Sequence, residues 1–497
     1  MKKLIRLILS RTSFILLLLL LQILLFIVLL EYLANFPYVS WIMYGITFLI
    51  VLYLLYNETN PVYKISWIIP ILLFPLFGGV FYLFYKQRNV NKKVLHRFTL
   101  FEESRYLYFE NILTYDPNHH ISTYLKSTKN FSDYHTKTTY LNTGTSMFES
   151  MKTEMKKAKK YIFLQFFIIK TGKMLDEILD ILKTKINEGV EVFIIYDDFG
   201  SSTLPYHYKK SLQKLGINTF VFNPMRFHLN FAMNYRNHQK IVIIDGKIVF
   251  TGGMNIGDEY INLESPYGYW KDAGIMLEGP ACSPFVYNAF HTINFIEKNA
   301  AYNFKKYIYQ DFDLTKTYGI TIPFTDSPMD QELTNKNVYF SLITQAKKSI
   351  YITTPYLIID NELKTALIVA ARSGVDVHII IPYIPDKKIV YMVTKSYAEE
   401  LAKENIHIHQ YKKGFIHSKM IVVDEQKAMI GTANLDFRSL YLHFENSVYL
   451  ENNITVKAMI EDIHTIIDES INLIDAKPSH MLTNILKYIL RGFSSIM

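Results

Sequence analysis

The chain has a single cysteine, Cys282, among 497 residues. An internal disulfide is therefore excluded, and so is a thiolate metal cluster. Fifteen histidines do not fill the gap, because no His-x-x-x-His or similar ligand spacing accompanies the two central ones, His238 and His417. His119 and His120 lie in a polar stretch, His378 stands alone in an apolar run, and His407 and His409 alternate with Ile406 and Ile408. All of these read as structural, so neither a metal nor a cofactor is called for. Charge is also thin, at 20% of residues, while half of the chain is hydrophobic and 15% aromatic. That balance is high for a soluble protein of this length.

The apolar excess sits at the front. Residues 13–30 are almost unbroken leucine, isoleucine and valine around Gln22; 41–56 is a second run; 65–85 is a third, broken by Pro70, Pro75 and Gly78-Gly79. The first run is long enough to cross a bilayer core. No small-x-small cleavage site follows it, so retention in the membrane is expected rather than removal as a signal peptide. Lys2, Lys3, Arg6 and Arg11 precede the runs, and Lys86, Arg88, Lys92, Lys93 and Arg97 follow them. The positive-inside tendency places both flanks in the cytoplasm and requires an even number of crossings. Two crossings are expected, with one run re-entrant or interfacial.

What the chain does have is the pattern His-x-Lys-x-x-x-x-Asp, twice: His238, Lys240, Asp245 and His417, Lys419, Asp424. Each copy is trailed at the same distance by a small-residue turn and an asparagine, Gly252-Gly253-Met254-Asn255 and Gly431-Thr432-Ala433-Asn434. The runs from Lys240 to Asp245 and from Lys419 to Asp424 are β-branched and read as buried strands. Side chains two apart share a strand face, so each histidine points with its lysine. Each aspartate is five residues past its lysine, on the opposite face, and is read as a motif member with a structural role.

An imidazole can attack phosphorus and split one hard displacement into two easier ones. A second imidazole can protonate the leaving alkoxide and then deprotonate the incoming hydroxyl. Lys240, Lys419, Asn255 and Asn434 can stabilise charge on the non-bridging oxygens. His238 is assigned as nucleophile and His417 as acid and then base; the symmetry of the copies leaves the reverse open.

At these residues the chain resembles the phospholipase D superfamily and, more narrowly, the bacterial cardiolipin synthases. The narrower likeness rests on Met233-Asn234-Tyr235-Arg236-Asn237-His238, Gly252 to Tyr260, Trp270-Lys271-Asp272, Thr354-Pro355-Tyr356, Gly431 to Ser439 and Phe444-Glu445. Gln239 stands where a basic residue is common, Thr432 where serine is, and His443 where asparagine is usual. The resemblance implies carboxylates that orient each histidine, and by position Asp272 suits the first half and Glu445 the second.

The rest repeats. Residues 158–164 and 346–352 each open a strand, helix and strand unit, closing at 189–195 and 374–380. Leu175, Ile178, Leu179 and Leu182 mark one helix face, and Leu363, Leu367 and Ala370 the other. The expected fold is α/β: two similar phospholipase D-like α/β domains forming one shared active site, preceded by N-terminal transmembrane segments. The parts are a membrane-anchoring region 1–97, a first catalytic half 98–320, a second 321–475 and a C-terminal amphipathic helix 476–497. A boundary near 315–335 is marked by Pro323, Asp326, Ser327 and Pro328. Along the final segment, Leu482, Ile485, Leu486, Ile489, Leu490 and Phe493 form an apolar stripe beside Lys487 and Arg491. It suits either an interfacial helix or one packed on the second half.

The resemblance implies a multi-pass cell-membrane enzyme with cytoplasmic catalytic halves, transferring a phosphatidyl group between two phosphatidylglycerols to give cardiolipin and glycerol. The net charge of +8 suits anionic membrane lipid as a partner rather than nucleic acid. The alternatives are a membrane-bound phospholipase D with water as acceptor, a nuclease of the same superfamily, and a lipid-binding scaffold.

Overall fold

The computed structural model describes residues 120–224, 235–297, 302–329 and 332–473, two N-terminal helices at Pro37–Tyr56 and Pro61–Leu73, and scattered residues between 24 and 109 and between 487 and 494. The run 13–30, apart from Leu24, Ile27 and Val28, lies outside the described residues, as do Met233, Asn234 and most of 476–497.

The first half builds a seven-stranded sheet. Its strands are β1 (Lys137–Leu141), β2 (Tyr161–Phe166), β3 (Glu191–Asp197), β4 (Asn218–Phe222), β6 (Ile241–Ile244), β7 (Ile248–Gly252) and β9 (Gly274–Glu278); β5 (Arg236–Asn237) and β8 (Tyr269–Lys271) stand apart from it. The second half supplies β10 (Ile320–Asp326), β11 (Ser349–Thr353), β12 (Asp376–Pro382), β13 (His407–Tyr411), β14 (Gly414–Ile416), β15 (Met420–Val423), β16 (Lys427–Gly431), β17 (His443–Glu451) and β18 (Ser470–Asn472). The strand orders are β1-β9-β7-β6-β2-β3-β4 and β10-β17-β16-β15-β11-β12-β13-β18. Strand for strand these are the same sheet, with β18 added at one edge. In both, three parallel strands run beside an antiparallel block that carries the motif.

β6 and β15 are buried along their whole length. Ile241 and Ile243 enter one core shared with Met420 and Val422, whereas Val242 and Ile244 face a core belonging to the first half. Burial on both faces explains why these strands read as continuous apolar runs rather than alternating ones. The shared core also takes the helices Ser283–Ile296 and Thr455–Asp468. It seats the two sheets against each other.

The helix Lys173–Asn187 buries Leu175, Ile178 and Leu182, and Asn361–Arg372 buries Leu363, Leu367 and Ala370. Asp360 caps the second by accepting from the Leu363 amide at 2.9 Å. The residues 320–326 are not a linker: they form edge strand β10, where Pro323 is tolerated opposite Val448. The helix His120–Ser127 places Ile121 and Leu125 in the second half's core.

The motif aspartates do not sit on the back face of a strand. Asp245 and Asp424 lie in the turns that follow β6 and β15, with φ of 54° and 52°. Asp245 accepts from the amides of Lys159, Lys160 and Tyr161, and Asp424 from those of Lys347, Lys348 and Ser349. Each ties its turn to the start of the neighbouring parallel strand, a different geometry from the one expected.

Among the described residues no helix is long and apolar enough to cross a membrane. The expected transmembrane segments are not seen there. The helices Pro37–Tyr56 and Pro61–Leu73 pack together through Ile50, Leu54, Trp67 and Ile71 and leave Trp41, Phe48, Leu49 and Leu72 exposed. Of the C-terminal stripe, Leu490 packs on the second half's core, Lys487 pairs with Glu399 at 2.8 Å, and Arg491 pairs with Glu400. Ile489 on the same stripe is exposed, so the described part is packed only in part, with both of its cations paired.

D245A and D424A should each lower the stability by about 1–3 kcal/mol through lost charge-assisted hydrogen bonding, and with it the thermal midpoint, while kcat of the folded protein is largely kept. Thermal unfolding in detergent alongside turnover checks this, and loss of kcat without loss of stability would place the aspartates in the chemistry.

Candidate active site

Two short parallel strand pairs build the site, and each joins one half to the other. β5 pairs with the start of β17, Arg236 opposite His443 and Asn237 opposite Phe444. β8 pairs with β14, Tyr269 opposite Gly414 and Lys271 opposite Ile416. The next hydrogen bonds continue these ladders: the His238 amide donates to the Phe444 carbonyl at 2.9 Å, and the His417 amide to the Lys271 carbonyl at 2.7 Å. The residue after each of those carbonyls is a carboxylate.

The pairing is therefore crossed. Nδ1 of His238 lies 2.9 and 3.0 Å from the two carboxylate oxygens of Glu445, and Nδ1 of His417 lies 2.7 Å from Asp272. Asp272 serves the second half's histidine and Glu445 the first half's, the reverse of the assignment by position. Sequence order misleads here because the strands that carry the carboxylates change partner between the halves.

Both carboxylates are fully buried and both histidines are only 8% exposed. Burial pushes the Glu445 and Asp272 carboxyls up, but the adjacent imidazoles, with Lys419 also acting on Asp272, outweigh it and hold both well ionised. An ionised carboxylate only accepts, so Nδ1 of each ring carries the proton and Nε2 keeps its lone pair. Burial lowers the His238 ring to about 3 and the His417 ring to about 4, and the lysines add to the effect. In each pair the carboxylate is the charged member.

Lys240 and Lys419 are buried, and each donates to the carbonyl of its own motif histidine. Burial brings Lys240 down to about 7 and Lys419 to about 8, and repulsion from Lys419 deepens the fall at Lys240. The two motifs thus share one electrostatic environment.

The asparagines differ. Asn255 accepts from the Ile168 amide and donates to the Tyr260 hydroxyl, both at 3.0 Å, so most of its amide is committed to holding a loop. Asn434 donates to Asp436 at 3.1 Å, and its carbonyl oxygen is buried without a partner. Gly253 is required by close approach: a Cβ there would stand 2.1 Å from Asp272 Oδ1. Thr432 keeps the hydroxyl its position needs, donating to Glu445 at 2.5 Å. Gln239 is fixed by Gln165, Asn288 and the Glu445 carbonyl.

Phe167 meets the His238 ring edge-on at 5.0 Å, and Trp270 and Tyr260 lie 5.1 and 5.7 Å from His417. These aromatic walls were not singled out as site residues by sequence. Phe167 follows β2 with no motif around it, and its only signal is the adjacency of β2 to β6.

The family described as "Cardiolipin synthase, PLD-like domain" matches residues 151–266 and 339–467. One described as "Phospholipase_D-nuclease N-terminal" matches 45–86. "Cardiolipin synthase 2" of Bacillus anthracis is 34% identical over 85% of this chain and 84% of its own. The chain belongs to the cardiolipin synthase family. An uncharacterized protein of Streptococcus mutans is 40% identical over 80% of this chain and 88% of its own. Among solved structures, the phosphatidylserine synthase of Haemophilus influenzae has a TM-score of 0.56 at 15% identity, covering 72% of this chain and 93% of that one. That likeness concerns the fold.

Removing either carboxylate should disable the histidine of the other half. D272N and E445Q are each expected to lower turnover on the order of 10²–10⁴-fold, measured with folded protein. Near-normal turnover in either would mean the ring is oriented by something else.

Proposed function

We propose that the chain is a membrane-anchored phosphatidyltransferase that makes cardiolipin from two molecules of phosphatidylglycerol. The observation that carries the reading is the pair of crossed histidine–carboxylate contacts, which leave two Nε2 atoms and two buried ammonium groups around one cleft.

In the first step Nε2 of His238 attacks phosphorus, the bond to the glycerol headgroup breaks, and His417 gives its proton to the departing alkoxide. In the second, His417 takes the proton of a second lipid's primary hydroxyl, that oxygen attacks phosphorus, and the phosphorus–nitrogen bond breaks. His417 must be protonated first. The phosphodiester anion supplies the change, because burial and then the lysines keep the ring neutral and the anion's charge offsets the lysines. Lys240 and Lys419 bind the non-bridging oxygens, with Asn434 and the remaining Asn255 hydrogen beside them; Asp245 and Asp424 hold the strands that present the motifs.

The same chemistry with water as acceptor would release phosphatidic acid. Transfer is favoured when the cleft holds a second lipid hydroxyl and excludes water. The exposed aromatic and aliphatic side chains of Pro37–Tyr56 support attachment to a bilayer, where acceptor lipid is concentrated. Two crossings drawn from 13–30, 41–56 and 65–85 within an anchor of 1–97, cytoplasmic halves at 98–320 and 321–475, and a partly packed helix within 476–497 complete the arrangement.

Labelled phosphatidylglycerol in native-like membranes should give diphosphatidylglycerol and free glycerol, with phosphatidic acid minor, and added glycerol should reverse the reaction. Dominant phosphatidic acid and indifference to glycerol would make the enzyme a hydrolase. For pH, the lysines must be charged and are pushed down to about 7 and about 8 in the empty site. kcat/KM, already declining above the His417 acid at about 4, should therefore fall more steeply as pH rises through that range, and kcat, which reports the lipid-bound site, should fall at higher pH. A kcat/KM whose slope does not steepen up to about pH 10 would remove the lysines from the charge-stabilising role.

A further inference from the structure

His378 is not alone in its strand. It lies opposite His407 across the parallel pair of β12 and β13, with Asp376 two residues before it and His409 two residues after His407 on the same face. Nε2 of His378 is 3.0 Å from Asp376 Oδ1, and Nε2 of His407 is 3.5 Å from the same oxygen. One ligand atom from each of the three lies within 4.8 Å of the others. Nδ1 of His378 lies 3.0 Å from Nε2 of His409, and the His378 ring stacks on Tyr351 at 4.9 Å and on His407 at 4.8 Å.

We infer that Asp376, His378 and His407 form a binding site for a divalent first-row transition metal ion, separate from the catalytic cleft. Tetrahedral zinc with bonds near 2.0–2.1 Å sets its ligand atoms about 3.4 Å apart; the two nitrogen–oxygen separations bracket that spacing, the two imidazole nitrogens lie within 4.8 Å, and binding turns the half-exposed His407 ring out of its stack on His378. Two imidazoles and one carboxylate suit such an ion. With Nε2 given to the metal, the His378 Nδ1–H donates to His409, the outer-sphere contact that fixes a ligand's tautomer. The stack on Tyr351 holds the ring in plane. Asp376 and His407 are 55% and 50% exposed in their side chains, so the ion enters directly from solvent and a fourth position stays open to water. The site clips β12 to β13 near the start of β13, whose far end runs through Lys412 and Lys413 into β14 and His417.

The test uses the full-length protein, without a polyhistidine tag, stripped with chelator and titrated with zinc by calorimetry and by thermal shift. The wild type should bind zinc with a rise in thermal midpoint. H407A and D376N, both changed at exposed side chains, should lose that binding and the rise while keeping the wild-type circular dichroism. H409Q should weaken binding by roughly 10–100-fold. Because His238, His443 and Glu445 also bring ligand atoms within 4.8 Å of one another, H443A is the control and should bind like the wild type. Absence of zinc binding in the wild type, or undiminished binding in both H407A and D376N, overturns the assignment.

Discussion

Each motif histidine is held by a carboxylate that the other half of the chain supplies, and the two cross-half ladders serve that exchange. The two sheets share one strand order, and neither carries both members of a histidine–carboxylate pair. The shared core seats them face to face, and the two short ladders, β5 with β17 and β8 with β14, carry strands across the seam. His238 then meets Glu445 and His417 meets Asp272 with no further device. Gly253 is glycine because the crossing leaves no room for a side chain beside Asp272.

Burial is what gives the crossed pairs their chemistry. Desolvation first, and repulsion from two buried lysines second, keep the imidazole rings neutral. The carboxylates remain ionised against the same burial because each has a fixed cationic or hydrogen-bonding neighbour. An anionic phosphodiester is the natural counter-charge for such a cleft. The energy of folding the site thus favours binding of the substrate's charge.

The repeat was legible because β2 and β11, and the helices behind them, recur with the same apolar spacing. The motif strands were legible because their β-branched runs are buried on both faces. The carboxylates were found, but their partners were inverted, since a two-residue ladder such as β5 with β17 has no signature of its own in the chain. Strand alternation places the aspartates on a back face, whereas a left-handed turn at Asp245 ends the alternation and lets the side chain cap a neighbouring strand. His378 looked solitary because its companions lie across the sheet, at 407 and 409, and strand register is invisible in a linear reading.

The most direct measurement of the crossed site uses a phosphatidyl ester whose leaving group has a low pKa and so needs no general acid. Wild type, E445Q and D272N are incubated with it, quenched, and the phosphatidyl adduct is located by mass spectrometry. If Glu445 supports the nucleophile and Asp272 the acid, D272N should form the adduct on His238 nearly as well as the wild type, while E445Q should form little. Equal loss of adduct in both variants would contradict the account.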